Sequence, residues 1–183
     1  MKKIVFGPLQ KKYQGKIFTI TERPVILPNG QRLVFEYCER KPSVCVLAFD
    51  KKKELLMIRE LRAGTNTWEW FLPAGRVDQV GDTPRRAAAR ELREETGWIA
   101  RKIKLLSRKP FPSDKIIWDI FTYVATDLTY DPQPNNEGEV IEPVFMPLKK
   151  AVEMALQGTI ADDAIACTII RFDYLVRTGK FKW

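Results

Sequence analysis

Apolar and polar positions alternate from Lys16 to Thr21, and Gln31 to Cys38 carries the same strand-like pattern. Pro28-Asn29-Gly30 stands between them as a turn signal, so the two segments predict a hairpin. Lys41-Pro42 marks a break. Val44 to Phe49 and Glu54 to Arg59 predict two more strands, joined by the Asp50-Lys51-Lys52-Lys53 turn. After a loop at Gly64-Thr65-Asn66, Trp68 to Leu72 reads as a short aromatic strand ending at Pro73-Ala74-Gly75. A second loop, Arg76 to Asp82, leads into the clearest helix of the chain. Thr83 suits its N-cap, Pro84 its first turn and Gly97 the position just past its end. Strands are predicted at Ile103 to Ser107, Ile116 to Ala125 and Val140 to Met146, with a Pro-, Asn- and Gly-rich loop from Asp131 to Gly138. Two helices follow, Leu148 to Gln157 before Gly158 and Asp162 to Thr178 before Gly179. Strands mixed with a few helices predict an α/β layer structure.

Composition narrows the chemistry. The 183 residues suit one domain with a core, or one domain plus an extension. The longest apolar stretches, such as Val44 to Phe49, fall far short of the roughly 20 residues a membrane helix needs. The apolar part of the N-terminus is too short for a secretory signal, so a cytoplasmic protein is expected. Cys38, Cys45 and Cys167 form no CxxC pair and are expected to be buried, reduced thiols. The chain has no histidine, which removes His-based triads and His-ligated zinc and leaves oxygen as the metal donor, pointing to magnesium or manganese. The net charge of +8 suits either nucleic acid or a small anionic substrate. The lysines and arginines are scattered along the sequence, the Lys51 to Lys53 cluster reads as a solvated turn, and no RNP-like motif, zinc finger or basic arm occurs. Nucleic acid is therefore not the expected partner, and a membrane partner is not expected either.

The predicted helix carries Glu91, Glu94 and Glu95, spaced to share one face. Like charges so placed repel by a few tenths of a kcal/mol per pair. They also sit in the last turns, where the helix macrodipole disfavours anions by about 0.3–1 kcal/mol each. A divalent cation reverses both penalties. On the helix alone a solvated acidic face, screened by Arg90 and Arg93, remains the alternative. Ala87-Ala88-Ala89 and Leu92 offer a close-packing opposite face.

The neighbouring residues carry more. Arg90-Glu91-Leu92-Arg93-Glu94-Glu95-Thr96-Gly97-Trp98 resembles the Arg-Glu-U-x-Glu-Glu-x-Gly-U core of the Nudix box, with U apolar, and Leu72-Pro73-Ala74-Gly75 resembles the segment that opens it. Asp82 stands where the family has Glu, and six residues rather than five separate it from Gly75. In the family that acid braces the helix and its Arg. Arg59-Glu60-Leu61-Arg62 is similar to the Arg-Gln-Tyr-Arg stretch of ADP-ribose pyrophosphatases, and Pro112, 15 residues past Gly97, falls where a proline accompanies ADP-ribose specificity. Phe71 departs from the Glu common there. The resemblance implies an α/β/α sandwich with a mixed sheet. It also implies a short N-terminal antiparallel β extension over residues 1–40 that crosses to a partner in a homodimer, and a Nudix domain over 41–183.

For the site, the resemblance implies Glu91 and Glu95 as first metal ligands, Glu94 next, and the carbonyl of Ala74 beside them. Two or three Mg2+ or Mn2+ ions would bridge the carboxylates and the diphosphate. The general base is expected to be a loop carboxylate, Glu139 first, then Glu137 and Glu142. Arg62 and Arg59 either bind phosphate or are sheet-edge charges. Trp68 and Trp70 either stack on a base or fill the core, and their alternation on one sheet face favours the core. The expected activity is cleavage of the diphosphate bond in ADP-ribose or a nucleotide sugar. The alternatives are hydrolysis of another dinucleotide or capped RNA, and a non-catalytic nucleotide-sensing module.

Overall fold

The computed structural model describes residues 3–133 and 140–183. A seven-stranded mixed sheet forms its centre. Its middle strand, β5 (Ser43–Phe49), is buried at every position. A strand buried throughout needs cover on both faces, and β5 divides its side chains between two cores. Cys45, Leu47 and Phe49 face one layer, and Val44, Val46 and Ala48 the other. The first layer holds α2 (Leu148–Leu156) and α3 (Asp163–Arg177), the second α1 (Pro84–Thr96). The result is the expected α/β/α sandwich.

Around β5 the strands run β12 (Ile141–Pro147), β6 (Glu54–Arg62), β5, β11 (Asp119–Tyr130), β9 (Trp98–Pro110). The β5–β11 pair is parallel, whereas β6, β9 and β12 pair antiparallel. Two short strands fill gaps, β7 (Thr67–Phe71) on β6 and β8 (Ala74–Arg76) on the first half of β5. The β8 pairing, Cys45 with Ala74 and Val44 with Gly75, fixes the Ala74-Gly75 segment against the central strand.

Residues 5–40 supply four strands of a second, five-stranded sheet: β1 (Val5–Phe6), β2 (Gln10–Gln14), β3 (Phe18–Ile26) and β4 (Arg32–Arg40). The β3–β4 hairpin turns at Pro28-Asn29-Gly30, where Gly30 takes φ 86°, a left-handed conformation open to glycine without strain. The predicted strand Ile116 to Ala125 is in fact two. Ile116–Ile117 forms β10 on β4, and after Trp118 the chain changes sheets into β11. Among the described residues no helix is long and apolar enough to cross a membrane.

Candidate active site

Helix α1 is held in register at both ends. The Thr83 hydroxyl accepts the Arg86 N–H (3.3 Å), Pro84 opens the helix, and Gly97 at φ 74° donates its N–H to Arg93 O (2.8 Å). A Cβ at Gly97 would also stand 2.8 Å from the Tyr130 ring. Ala87, Ala88 and Leu92 are buried against the sheet, while Ala89 faces solvent instead of joining them.

Small residues on this face let the helix lie close to the strands, and its acids meet the Pro73-Ala74-Gly75 segment. Glu91 is 7% exposed. Its carboxylate occupies the space beside Gly75, where an added Cβ would lie 2.0 Å from Glu91 Cδ. Glu95 accepts the Ala74 N–H at 2.9 Å. Arg90 sits among the acids: Nη1 reaches Glu91 and Glu94 at 2.8 Å each, and Nη2 reaches Asp82 at 3.2 Å and the Arg76 carbonyl at 3.0 Å. Burial opposes its charge, but the hydrogen bond to Glu94, the charge of Glu91 and the hydrogen bond to Asp82 outweigh it, and the Arg90 pKa is raised.

Asp82 therefore reaches the Arg of the motif despite being one methylene shorter than Glu. The loop before the helix turns at residues 79–82, where Gly81 is left-handed (φ 77°) and Asp82 N–H bonds Gln79 O at 3.1 Å.

Glu91, Glu94, Glu95 and Ala74 are thus brought together, although among the described residues no three acids are drawn into a preformed cage. Arg90 and the Ala74 amide hold the acids. The donor set is oxygen only, with a carboxylate seated where a side chain on Gly75 would have been, and it fits a hard cation that takes few protein ligands and completes its shell with water and phosphate.

The other predicted residues lie elsewhere. Arg62 Nη1 donates to both carboxylate oxygens of Glu60 at 2.8 Å each, and its guanidinium lies over Phe71 (4.9 Å). Arg59 approaches Glu142 at 3.6 Å and lies over Trp68 (5.0 Å). Trp68 is 36% exposed, so it is not core, whereas Trp70 packs against the α2–α3 core. Pro112 is exposed in the loop between β9 and β10. Glu137 and Glu139 lie outside the described residues. Of the thiols, Cys45 is buried, with its pKa pushed up to about 12 by burial and by the charges of Asp162 and Glu95. Cys38 is half-buried, and Cys167 is exposed, contrary to expectation.

A cleft of about 300 Å³ opens beside β8, lined by Lys16, Arg40, Lys41, Arg76 and Asp78 among others. Arg40 lies over Trp118 (4.0 Å), and its buried Nε has no hydrogen-bond partner among the described residues. Burial and the charge of Arg76 lower its pKa. Arg76 directly follows Gly75, and its carbonyl is the one Arg90 holds, so cleft and carboxylates share one backbone segment. The position of Arg76 was the only sequence signal. Lys16, Arg40 and Arg76 are too far apart in the chain to be read as a cluster.

The fold and this constellation define a Nudix hydrolase. A family model described as the NUDIX domain matches residues 39–166, and the chain belongs to that family. An ADP-ribose pyrophosphatase of Mycobacterium tuberculosis is 30% identical over 172 residues, covering 91% of this chain and 81% of the relative. An ADP-ribose pyrophosphatase of Bacillus subtilis is 26% identical over 160 residues, covering 86% and 85%. A solved structure described as an ADP compounds hydrolase has the same fold, with a TM-score of 0.80 at 23% identity over 99% of this chain and 98% of that one.

Proposed function

We propose that this hydrolase cleaves the diphosphate bond of ADP-ribose, giving AMP and ribose 5-phosphate, with nucleotide sugars as the next substrate class, and that it requires Mg2+ or Mn2+. The observation that carries the reading is the seating of Glu91 against Gly75, with Glu94 and Glu95 beside it and a cationic cleft on the same backbone segment. Glu91, Glu95, Glu94 and the Ala74 carbonyl would hold the metal. When bound, the ion supplies charge neutralisation on the diphosphate and activation of water.

The remaining work falls to the chain. Arg40 and Arg76 offer planar donor forks to the anionic substrate. Lys16, Lys41, Arg40 and Arg76 together place several positive charges around the cleft. Water adds to one phosphorus, the P–O bond to the bridging oxygen breaks, and that oxygen leaves on the other phosphate. A carboxylate takes the proton from the water. Glu139 is our first choice, ahead of Glu137 and of Glu142, which is exposed and faces Arg59. Pairing of two copies through the first sheet belongs to the same reading, supported by Val5, Phe6, Tyr13 and Val34, which are 60%, 49%, 63% and 63% exposed. Sedimentation of the purified protein tests it.

The activity is tested by product release from ADP-ribose, GDP-mannose, ADP-glucose, NADH, a diadenosine polyphosphate and a capped dinucleotide, each with magnesium, with manganese and with EDTA. Metal-dependent turnover highest on ADP-ribose is expected. Tight binding without turnover would instead favour the sensing module, and preference for the capped dinucleotide would move the substrate to RNA.

A further inference from the structure

Lysines that are scattered in the sequence meet in space on the far face of the sheet from α1. The β5–β6 turn brings Lys51, Lys52 and Lys53, strand β9 brings Lys104, and the segment after α3 brings Lys180 and Lys182. Three ring contacts tie them together. Lys53 Nζ lies 5.1 Å from the Trp183 ring centroid, Lys104 Nζ 5.6 Å from Phe181, and Lys180 Nζ 5.2 Å from Tyr174. Phe181 and Trp183 are themselves edge to face at 5.8 Å, so the Lys53 and Lys104 contacts border one another, and Lys180 with its Tyr174 contact directly precedes Phe181 in the chain. Every one of these lysines is exposed, and among the described residues none makes an ion pair.

Asp50 and Glu54 flank the lysine turn, where Asp50 accepts the Lys52 and Glu54 N–H groups, and Asp173 is bound by Arg177 at 2.7 Å. The six lysines outnumber these acids, so the face carries a net positive charge beside its aromatic rings. The rings are also placed for contact. Trp183 is anchored edge-on by Phe49 (4.9 Å) and Phe172 (5.9 Å) yet is 46% exposed, and Tyr174 is 49% exposed. Exposed, anchored rings among unpaired lysines are what a single-stranded nucleic acid engages, phosphates on the ammonium groups and bases on the rings.

We propose that this Lys53–Lys104–Lys180–Trp183 face binds single-stranded RNA or DNA, separately from the hydrolytic site on the opposite side of the sheet.

Fluorescence polarisation of the full chain with a labelled single strand of roughly 12 nucleotides tests this. Binding should weaken roughly 20-fold between about 50 and about 200 mM salt if about three phosphates are engaged. Lys51→Glu with Lys182→Glu should weaken it by about tenfold or more, whereas the charge-matched pair Lys11→Glu with Lys12→Glu on the first sheet should change it less than about twofold. Trp183→Ala should weaken binding to the strand but not to heparin. Tyr174→Ala repeats that test in a side chain outside the core, and melting curves check that each variant is folded. Absence of binding, equal effects of the two lysine pairs, heparin bound as tightly as the strand with neither ring variant altering either, or capture by phosphatidylserine vesicles without strand binding would each overturn the proposal.

Discussion

The two faces of the central sheet are packed by opposite means. On one, Phe49, Phe172, Ile169 and Leu47 interlock beneath α2 and α3, each fully buried. On the other, α1 rests on Ala87, Ala88 and Leu92, and two of these contribute only a methyl group. Large side chains bury more area, about 1.5–3 kcal/mol for a Leu, Ile or Phe, so the first face holds most of the stability. The second gives up area for proximity. Alanines let the α1 backbone come near enough for Glu91 to lie against the Gly75 backbone and for Glu95 to meet the Ala74 amide. One face holds the fold together, and the other holds repelling carboxylates where helix stability alone would not put them.

That division can be broken from either side, and the effects can be ranked on one energy scale. Phe172→Ala should cost about 3–5 kcal/mol of stability, read by denaturant unfolding, with little change in turnover per folded molecule. A large loss of turnover in folded protein would mean that the faces are coupled. Gly75→Ala should act in the opposite way. The new methyl must displace the Glu91 carboxylate, and displacement of about 1 Å lowers turnover by about 10²-fold, or roughly 2.7 kcal/mol, with the melting temperature less affected. Near-normal rates would show that Glu91 can move without consequence. Glu139→Gln should lower kcat by at least about tenfold, the low end of general-base contributions, or roughly 1.4 kcal/mol. A silent substitution would transfer the proton to Glu137 or Glu142.

The same contrast governs what the sequence discloses. Helix α1 was legible to the residue, since its cap, proline and terminal glycine are local signals. So was the acid cluster, whose spacing sets one face. The β extension over residues 1–40 is expected, but the bounds of β1 and β2 are not legible, because their residues are exposed and carry no burial period, although each pairs with β3. Strand β9 was predicted only from Ile103 to Ser107, but its ladder with β11 extends from Trp98 to Pro110, with exposed Arg and Lys masking the pattern at both ends. Trp68 was favoured as core by alternation with Trp70, yet β7 lies at the sheet margin, where only Trp70 finds the core. The cationic cleft and the lysine face were out of reach for one reason: each gathers residues from distant segments, and only the pairing of strands places them side by side.

If the carboxylates of α1 carry a metal-dependent hydrolysis, Glu95→Gln should remove it. Turnover of ADP-ribose is to be measured for this variant beside the unaltered protein in magnesium, with unfolding curves for both. A folded variant without turnover is expected, while the unaltered protein works in magnesium and stops in EDTA. Near-normal, metal-dependent turnover by the variant would remove Glu95 from the site.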